Sequence, residues 1–204
     1  MQKMEKAKNS LKILAILTAI FLLFSCNPLE NETESDSLLV VQNVTGTDID
    51  GNVVNYLQSD VQNVDSQTGQ AYITADSAKA TLKVSLLDPS PTVQPSQYNS
   101  VTINRYVVSY SRTDGQNTPG VDLPYSFEGS LSIQIDVGST ATIAFIIVRE
   151  VAKLEPPLIN LVEGTEEGVL QVTAKVDFYG QDMVNNTVKA TGYLNIFFAN
   201  YTDN

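Results

Sequence analysis

The sequence predicts an all-β domain built as a two-layer sandwich. Three observations support this fold class: several stretches alternate apolar and polar residues, turn dipeptides separate them, and only one short segment has helical spacing. A hydrophobic content of 43% with 17% charged residues is typical of a folded globular chain. Because the apolar face of one sheet needs a covering layer, we expect one sandwich domain over residues 38–204, with about 7–9 strands and long loops.

The strand predictions depend on periodicity. Residues 170–178 alternate apolar and polar side chains, as a strand with one buried face does. Residues 140–148 are apolar on both faces, which favours a central strand or one covered by another layer. Val151, Leu154 and Leu158 have helical spacing, and Pro156-Pro157 is expected to end that helix early. Further alternating stretches are 80–86, 103–110, 131–137 and 188–198, with turns predicted at Asp50-Gly51, Asp114-Gly115 and Gly138-Ser139.

Residues 103–110, with an Asp-Gly turn soon after, resemble the third strand of fibronectin type III domains. The stretch reads Ile-Asn-Arg-Tyr-Val-Val-Ser-Tyr, and the resemblance covers about a dozen residues. It implies an immunoglobulin-like or fibronectin-like sandwich. The chain has no tryptophan, and the predicted domain is longer than the ~100 residues usual for such sandwiches. Extra strands or long loops are therefore expected.

The first 25 residues have the layout of a secretory signal peptide. Residues 1–9 contain three lysines, Lys3, Lys6 and Lys8, and the apolar stretch 13–24 follows. A transmembrane helix needs roughly 20 apolar residues, and this stretch is shorter. We therefore predict a helical signal peptide over residues 1–25.

The end of that segment resembles a bacterial lipobox. It reads Leu23-Phe24-Ser25-Cys26, with the only cysteine of the chain at the place that the motif requires, and with Phe24 where the family usually has a small or β-branched residue. The resemblance implies cleavage between Ser25 and Cys26, followed by attachment of diacylglycerol and an N-acyl chain such as palmitate to Cys26. The alternative is an ordinary signal peptide followed by an incidental free cysteine. Membrane lipid is the partner that the anchor implies, and no other cofactor is expected.

The residues after the cysteine predict which membrane holds the protein and how the anchor is connected to the domain. Asn27 stands where enterobacterial lipoproteins retained at the inner membrane carry aspartate, so the resemblance implies the outer membrane of a bacterial envelope. Whether the domain faces the periplasm or the cell surface is open. Residues 26–37 are acidic without a basic residue, and their composition predicts a flexible tether between anchor and domain.

Composition limits the chemistry of the mature chain. Without residues 1–25, 8 basic and 22 acidic residues remain, so the net charge is −14, which disfavours nucleic acid as a partner. The sequence has no histidine, so a Ser-His-Asp or Cys-His nucleophile is excluded. We therefore expect a non-catalytic binding, adhesion or scaffolding module whose partner is an unknown protein or polysaccharide.

Two alternative functions are a calcium-stabilised module, which needs oxygen ligands, and a glycan hydrolase, which needs a pair of carboxylates. Asp48, Asp50 and Asn52 stand at alternate positions, as in a calcium loop, although a plain hairpin turn explains Asp50-Gly51 without any ion and is the interpretation that we favour. They would make the protein a calcium-stabilised binding module. A glycan hydrolase would need two carboxylates about 5–9.5 Å apart beside a sugar cleft. The candidate acids for it are Asp122, Glu128, Glu163, Glu166 and Glu167.

One connecting segment is unusually apolar. Leu158, Ile159, Leu161 and Val162 follow the two prolines in a predicted loop region. If exposed, they would form a docking surface for a partner. The alternative, which we favour, is that they fold back and close one end of the sandwich.

Overall fold

The computed structural model describes residues 35–88, 96–163 and 168–201. In these ranges the chain forms eleven strands, β1–β11, two short α-helices, α1 and α2, and one turn of 3-10 helix, Gln97–Asn99. The helices are α1 (Glu150–Lys153) and α2 (Leu158–Glu163), and both lie between β9 and β10. The strands are β1 (Ser37–Thr47), β2 (Val53–Val54), β3 (Tyr56–Asp60), β4 (Asn63–Val64), β5 (Ala71–Tyr72), β6 (Asp76–Leu86), β7 (Val101–Ser111), β8 (Phe127–Ile135), β9 (Thr140–Val148), β10 (Leu170–Asp182) and β11 (Thr187–Ala199).

Two sheets form the sandwich. One has four strands in the order β2-β1-β6-β9, and the other has five in the order β3-β11-β10-β7-β8. Strands β4 and β5 form a separate small hairpin. Neighbouring strands pair in the antiparallel sense except β3, which pairs in parallel with β11. The all-β, two-sheet prediction is thus confirmed.

The core lies between the two sheets because alternate side chains of each long strand point inward. In β10, Val172, Ala174 and Val176 are buried while the residues between them are more exposed. An aromatic cluster joins the sheets at the centre: the ring of Phe145 in β9 lies 5.2 Å from Tyr106 in β7 and 5.4 Å from Phe178 in β10. Edge-to-face aromatic packing of this kind contributes about 0.5–1.5 kcal/mol per pair beyond area burial.

The strand over residues 140–148 is present, but it is not central. Strand β9 lies at the edge of the four-stranded sheet. Phe145 and Ile147 of its inner face are buried, whereas Ala144 and Ile146 of its outer face line an open groove between β8 and β9. Val148, the third apolar residue of the outer row, is fully buried in the core, so the groove accounts for only part of that row.

The predicted short helix is present and ends before Pro156-Pro157, but Val151 and Leu154 do not form its buried face. Val151 and Leu154 are exposed, and Ala152 and Lys153 are buried in their place. The segment breaks into α1 and α2 on either side of the two prolines, and the residues that α1 buries are Ala152 and Lys153. Leu158, at the start of α2, is fully buried as expected for a closing segment.

The two ends of the sandwich differ. At the entry end, where the described chain begins, the Ser35 hydroxyl donates a 2.7 Å hydrogen bond to Asp182 at the end of β10. Strand β1 starts at Ser37, so residues 35–37, assigned to the tether from composition, lie against the sandwich. At the opposite end, called the far end below, lie the loop 112–126 and the helices, and there Tyr110 of β7 donates a 2.6 Å hydrogen bond to the carbonyl of Ile147 in β9.

Candidate functional site

The predicted lipidation site lies outside the described residues. Cys26, the cleavage-site residue Ser25 and the signal peptide are all in the range 1–34, as is most of the predicted tether. The structure therefore offers no geometry for them, and the lipobox interpretation continues to depend on the sequence.

The candidate calcium ligands form a hydrogen-bonded turn between β1 and β2. Asp48 accepts hydrogen bonds from the backbone and side-chain nitrogens of Asn52, at 2.7 and 2.9 Å. The side-chain bond from Asn52 is the main reason why the pKa of Asp48 is lowered. Gly51 has a φ of +82°, the conformation that the Asp-Gly pair predicts. In the described ranges, no group of three or more acidic, histidine or cysteine side chains is placed to hold a metal ion.

The candidate docking residues are mostly inside the domain. Leu158 is fully buried and Leu161 is 8% exposed, and both belong to the hydrophobic core. Ile159 and Val162 are partly buried. Leu158 and Leu161 are therefore not available to a partner, and the segment closes the far end of the sandwich.

The candidate hydrolase carboxylates have separate structural roles where they are described. Glu128 forms a 2.9 Å ion pair with Arg105 across β7 and β8. Asp122 accepts a 2.9 Å hydrogen bond from the backbone of Thr118 within the loop before β8. The side chain of Glu163 and residues 164–167, which include Glu166 and Glu167, lie outside the described part of the chain.

The structure reveals a buried polar cluster that the sequence reasoning missed. Lys153 of α1 is fully buried, and its Nζ lies 3.0 Å from each carboxylate oxygen of Asp76, the first residue of β6. The same Nζ donates a 2.6 Å hydrogen bond to the backbone carbonyl of Asp60 at the end of β3. Ser59 Oγ, also fully buried, donates a 2.5 Å hydrogen bond to Asp76 Oδ2. We call Ser59, Asp60, Asp76 and Lys153 the buried polar cluster.

The electrostatics of this cluster are set by desolvation. Burial raises the pKa of Asp76, although the charge of Lys153 and the hydrogen bonds from Ser59 and Lys153 act in the opposite direction. Removal from water therefore has a larger effect on this carboxyl group than its cationic neighbour. The only sequence signal was a lysine within an apolar segment, and nothing local indicated that β3 and β6 supply its partners.

An open apolar groove lies between the edges of the two sheets. Its volume is about 280 Å³, and it separates β8 from β9. Tyr106 reaches the groove close to Gly129, where a Cβ would lie only 2.3 Å from Cζ of the tyrosine ring. Glycine at this position therefore makes room for the ring. The groove is lined by Ser77, Tyr106, Ser130, Leu131, Ala144, Phe145 and Ile146.

The outer face of the five-stranded sheet carries a charged and aromatic array. The ring of Tyr179 lies between Arg105, at 4.2 Å, and Lys189, at 5.2 Å. Asp177 forms ion pairs with Lys175 at 3.0 Å and with Lys189 at 3.3 Å. Burial by itself raises the pKa of Asp177. The hydrogen bonds to this carboxylate and the neighbouring lysines together have the larger effect, and the pKa is lowered. We call this array the charged face.

Comparison with known proteins does not assign the chain to a family. A scan against protein-family models finds no match, and a search of the curated proteins finds none either. The part of the chain that the structure describes contains no helix that is both long and apolar enough to span a bilayer.

Proposed function

We propose that this protein is a lipid-anchored component of a bacterial cell envelope that acts by binding or scaffolding and not by catalysis. The observation that carries the proposal is Cys26, the only cysteine of the chain, placed at the end of a lipobox-like tetrapeptide after a basic and apolar leader. Acyl chains on this cysteine, at ~0.8 kcal/mol per buried CH₂, would hold the protein at a leaflet. The Asn27 position favours the outer membrane.

The domain that the anchor would carry is proposed to be immunoglobulin-like. In constant-type immunoglobulin domains the first, second, fifth and fourth strands form one sheet, while the third, sixth and seventh form the other. The orders β1-β6-β9 and β11-β10-β7-β8 support this proposal, with β8 added beside the third-strand equivalent β7. Strands β2, β3, β4 and β5 then belong to one long insertion between the first two core strands. This insertion, residues 48–75, supplies part of the length that exceeds a standard domain.

A binding role is favoured by the side chains that the sandwich presents. The charged face groups Arg105, Lys175 and Lys189 in a mature chain that has only 8 basic residues. Tyrosine and arginine are enriched at recognition surfaces, and Tyr179 lies between two of these cations. The chain has no histidine for general acid–base work. We therefore propose binding of a protein or polysaccharide partner through the folded domain.

The anchor is tested by Cys26→Ala in the full-length protein expressed in a bacterial host. We expect the substitution to abolish incorporation of labelled fatty acid and to move the protein from the membrane fraction to the soluble fraction, because the acylated sulfur is lost. Asn31→Ala, in the same acidic segment, is the matched control and should remain labelled and membrane-bound. Retention of the Cys26→Ala protein in washed membranes would contradict the proposal.

A further inference from the structure

The buried polar cluster brings an amine and a carboxyl group together out of water. Lys153 Nζ is 3.0 Å from both Asp76 oxygens, so it faces the carboxyl group and not one oxygen alone. The Lys153 side chain is 1% exposed and that of Asp76 is 17% exposed. The ion pair between Lys175 and Asp177 has a similar 3.0 Å separation, but the Lys175 side chain is 41% exposed. The two pairs therefore differ in the burial of the lysine and in the contact of Lys153 Nζ with both carboxylate oxygens, while Asp177, at 11% exposed, is no more open than Asp76.

We propose that Lys153 and Asp76 condense to form an intramolecular amide that links α1 to β6. In this step one proton moves from the ammonium group of Lys153 to Oδ1 of Asp76, leaving a neutral amine and a neutral acid. The lone pair of Nζ then forms a bond to Cγ, and the bond between Cγ and Oδ1 breaks. Oδ1 leaves as water with the carboxyl proton and one hydrogen of Nζ. Nothing is oxidised or reduced, and no co-reactant is needed.

The surroundings favour the neutral form of the acid. Burial raises the pKa of Asp76, because a low-dielectric interior disfavours its carboxylate. Holding two reacting groups at contact distance on rigid elements replaces a bimolecular step by an intramolecular one, for which effective molarities of about 10⁵–10⁸ M are known. The partial exposure of Asp76 leaves a path by which the released water can depart.

The cluster also has hydrogen-bond partners for the product. The amide nitrogen keeps one hydrogen, and the carbonyl oxygen of Asp60 lies 2.6 Å from Nζ to accept it. The amide oxygen is the remaining Oδ2, and Ser59 Oγ already donates to that atom at 2.5 Å. Both polar groups of a buried amide would therefore be satisfied, as burial requires. The linkage would join two positions 77 residues apart in the sequence.

Peptide mapping of the purified full-length protein tests the proposal. After a cooperative thermal transition has shown that the protein is folded, it is denatured, digested with a protease that cuts at acidic residues, and analysed by tandem mass spectrometry. We expect the peptides containing residues 76 and 153 to appear as one joined species, lighter than their sum by one water. Lys175 and Asp177 provide the control within the same molecule, and their side chains should remain unlinked.

Lys153→Arg is the matched variant because it keeps the positive charge but lacks the amine. We expect the joined species to be absent from this variant. Separate, unmodified peptides in the folded wild-type protein would overturn the proposal, and the cluster would then be an ordinary buried ion pair. A joined species that persists in Lys153→Arg would overturn it too, because the link would involve another residue.

Discussion

Asp182 shows how one carboxylate can organise a turn and the chain entry together. Its Oδ1 accepts backbone hydrogen bonds from Val184 and Asn186, each at 2.9 Å, and its Oδ2 accepts from Ser35 at 2.7 Å and from the Asn186 side chain at 3.0 Å. Against the opposing effect of burial, these bonds lower the pKa of Asp182. The turn between β10 and β11 and the first described residue of the chain thus depend on the same ionised group.

We expect Asp182→Ala to lower the free energy of unfolding at pH 7 by about 2–3 kcal/mol, because charge-assisted hydrogen bonds are lost and their donors are left unpaired. Since folding lowers this pKa, the contribution is complete above the ordinary value of 3.8 and declines as the pH falls through the folded-state pKa. Urea unfolding at pH 7 and in strong acid measures both effects, and the difference between wild type and variant should shrink in acid. Asp122→Ala, which removes one exposed hydrogen bond, should change stability by about 0.5 kcal/mol or less. A difference for Asp182→Ala that is independent of pH would contradict this assignment.

The helical connection between β9 and β10 acts as a cover for the far end. Leu158 is fully buried, whereas Leu154, four residues earlier in the same segment, is 55% exposed. The two leucines therefore offer a matched pair with the same chemistry and opposite environments.

Leu158→Ala should lower the free energy of unfolding by about 2–5 kcal/mol, since it removes a buried side chain and leaves a cavity. Leu154→Ala should cost about 0.5 kcal/mol or less because its side chain is mostly in water. Chemical denaturation of both variants measures the difference. If both variants changed the free energy of unfolding by the same small amount, the segment would not cover the core. It would then again be a candidate docking surface.

Much of the strand content follows from local alternation, whereas the pairings do not. Residues 140–148 coincide with β9, and the predicted strand over 170–178 lies within β10. The parallel pairing of β3 with β11 joins residues more than 130 positions apart, and no local pattern specifies it. The buried polar cluster was missed for the same reason, because Lys153 finds its partners on β3 and β6. Sequence periodicity predicts which face of a strand is buried, but it does not predict which strand or side chain packs against that face.

At the scale of the whole molecule, the two sheets approach closely where β1 of one sheet meets β11 of the other. Gly192 is buried at this point, and a Cβ there would lie 2.6 Å from a methyl group of Val44 and 2.9 Å from one of Val41. Its φ is not in the left-handed region, so space and not backbone conformation requires glycine. The sheet separation is therefore set in part by the absence of one methyl group.

We expect Gly192→Ala to lower the free energy of unfolding by about 1–3 kcal/mol, because an added methyl must displace β1 from β11. Tyr193→Ala, at the next position on the exposed side of β11, should have a smaller effect since its side chain is 61% exposed. Thermal or urea unfolding of the two variants provides the comparison. A Gly192→Ala protein that is more stable than wild type would show that the space between β1 and β11 accommodates the added methyl group.

The placement of Ser35 also determines how the domain would carry a mechanical load. Chain entry is at one end of the sandwich, while the loop 112–126 and the helices lie at the other. A pull between the tether and the far end of the domain would act along β1, which pairs with β6 from Ser37 to Thr45. Because the hydrogen bonds of this ladder are perpendicular to the strands, such a force shears them together and does not open them one at a time. Extraction of β1 would therefore require most of its ladder to break in a single event.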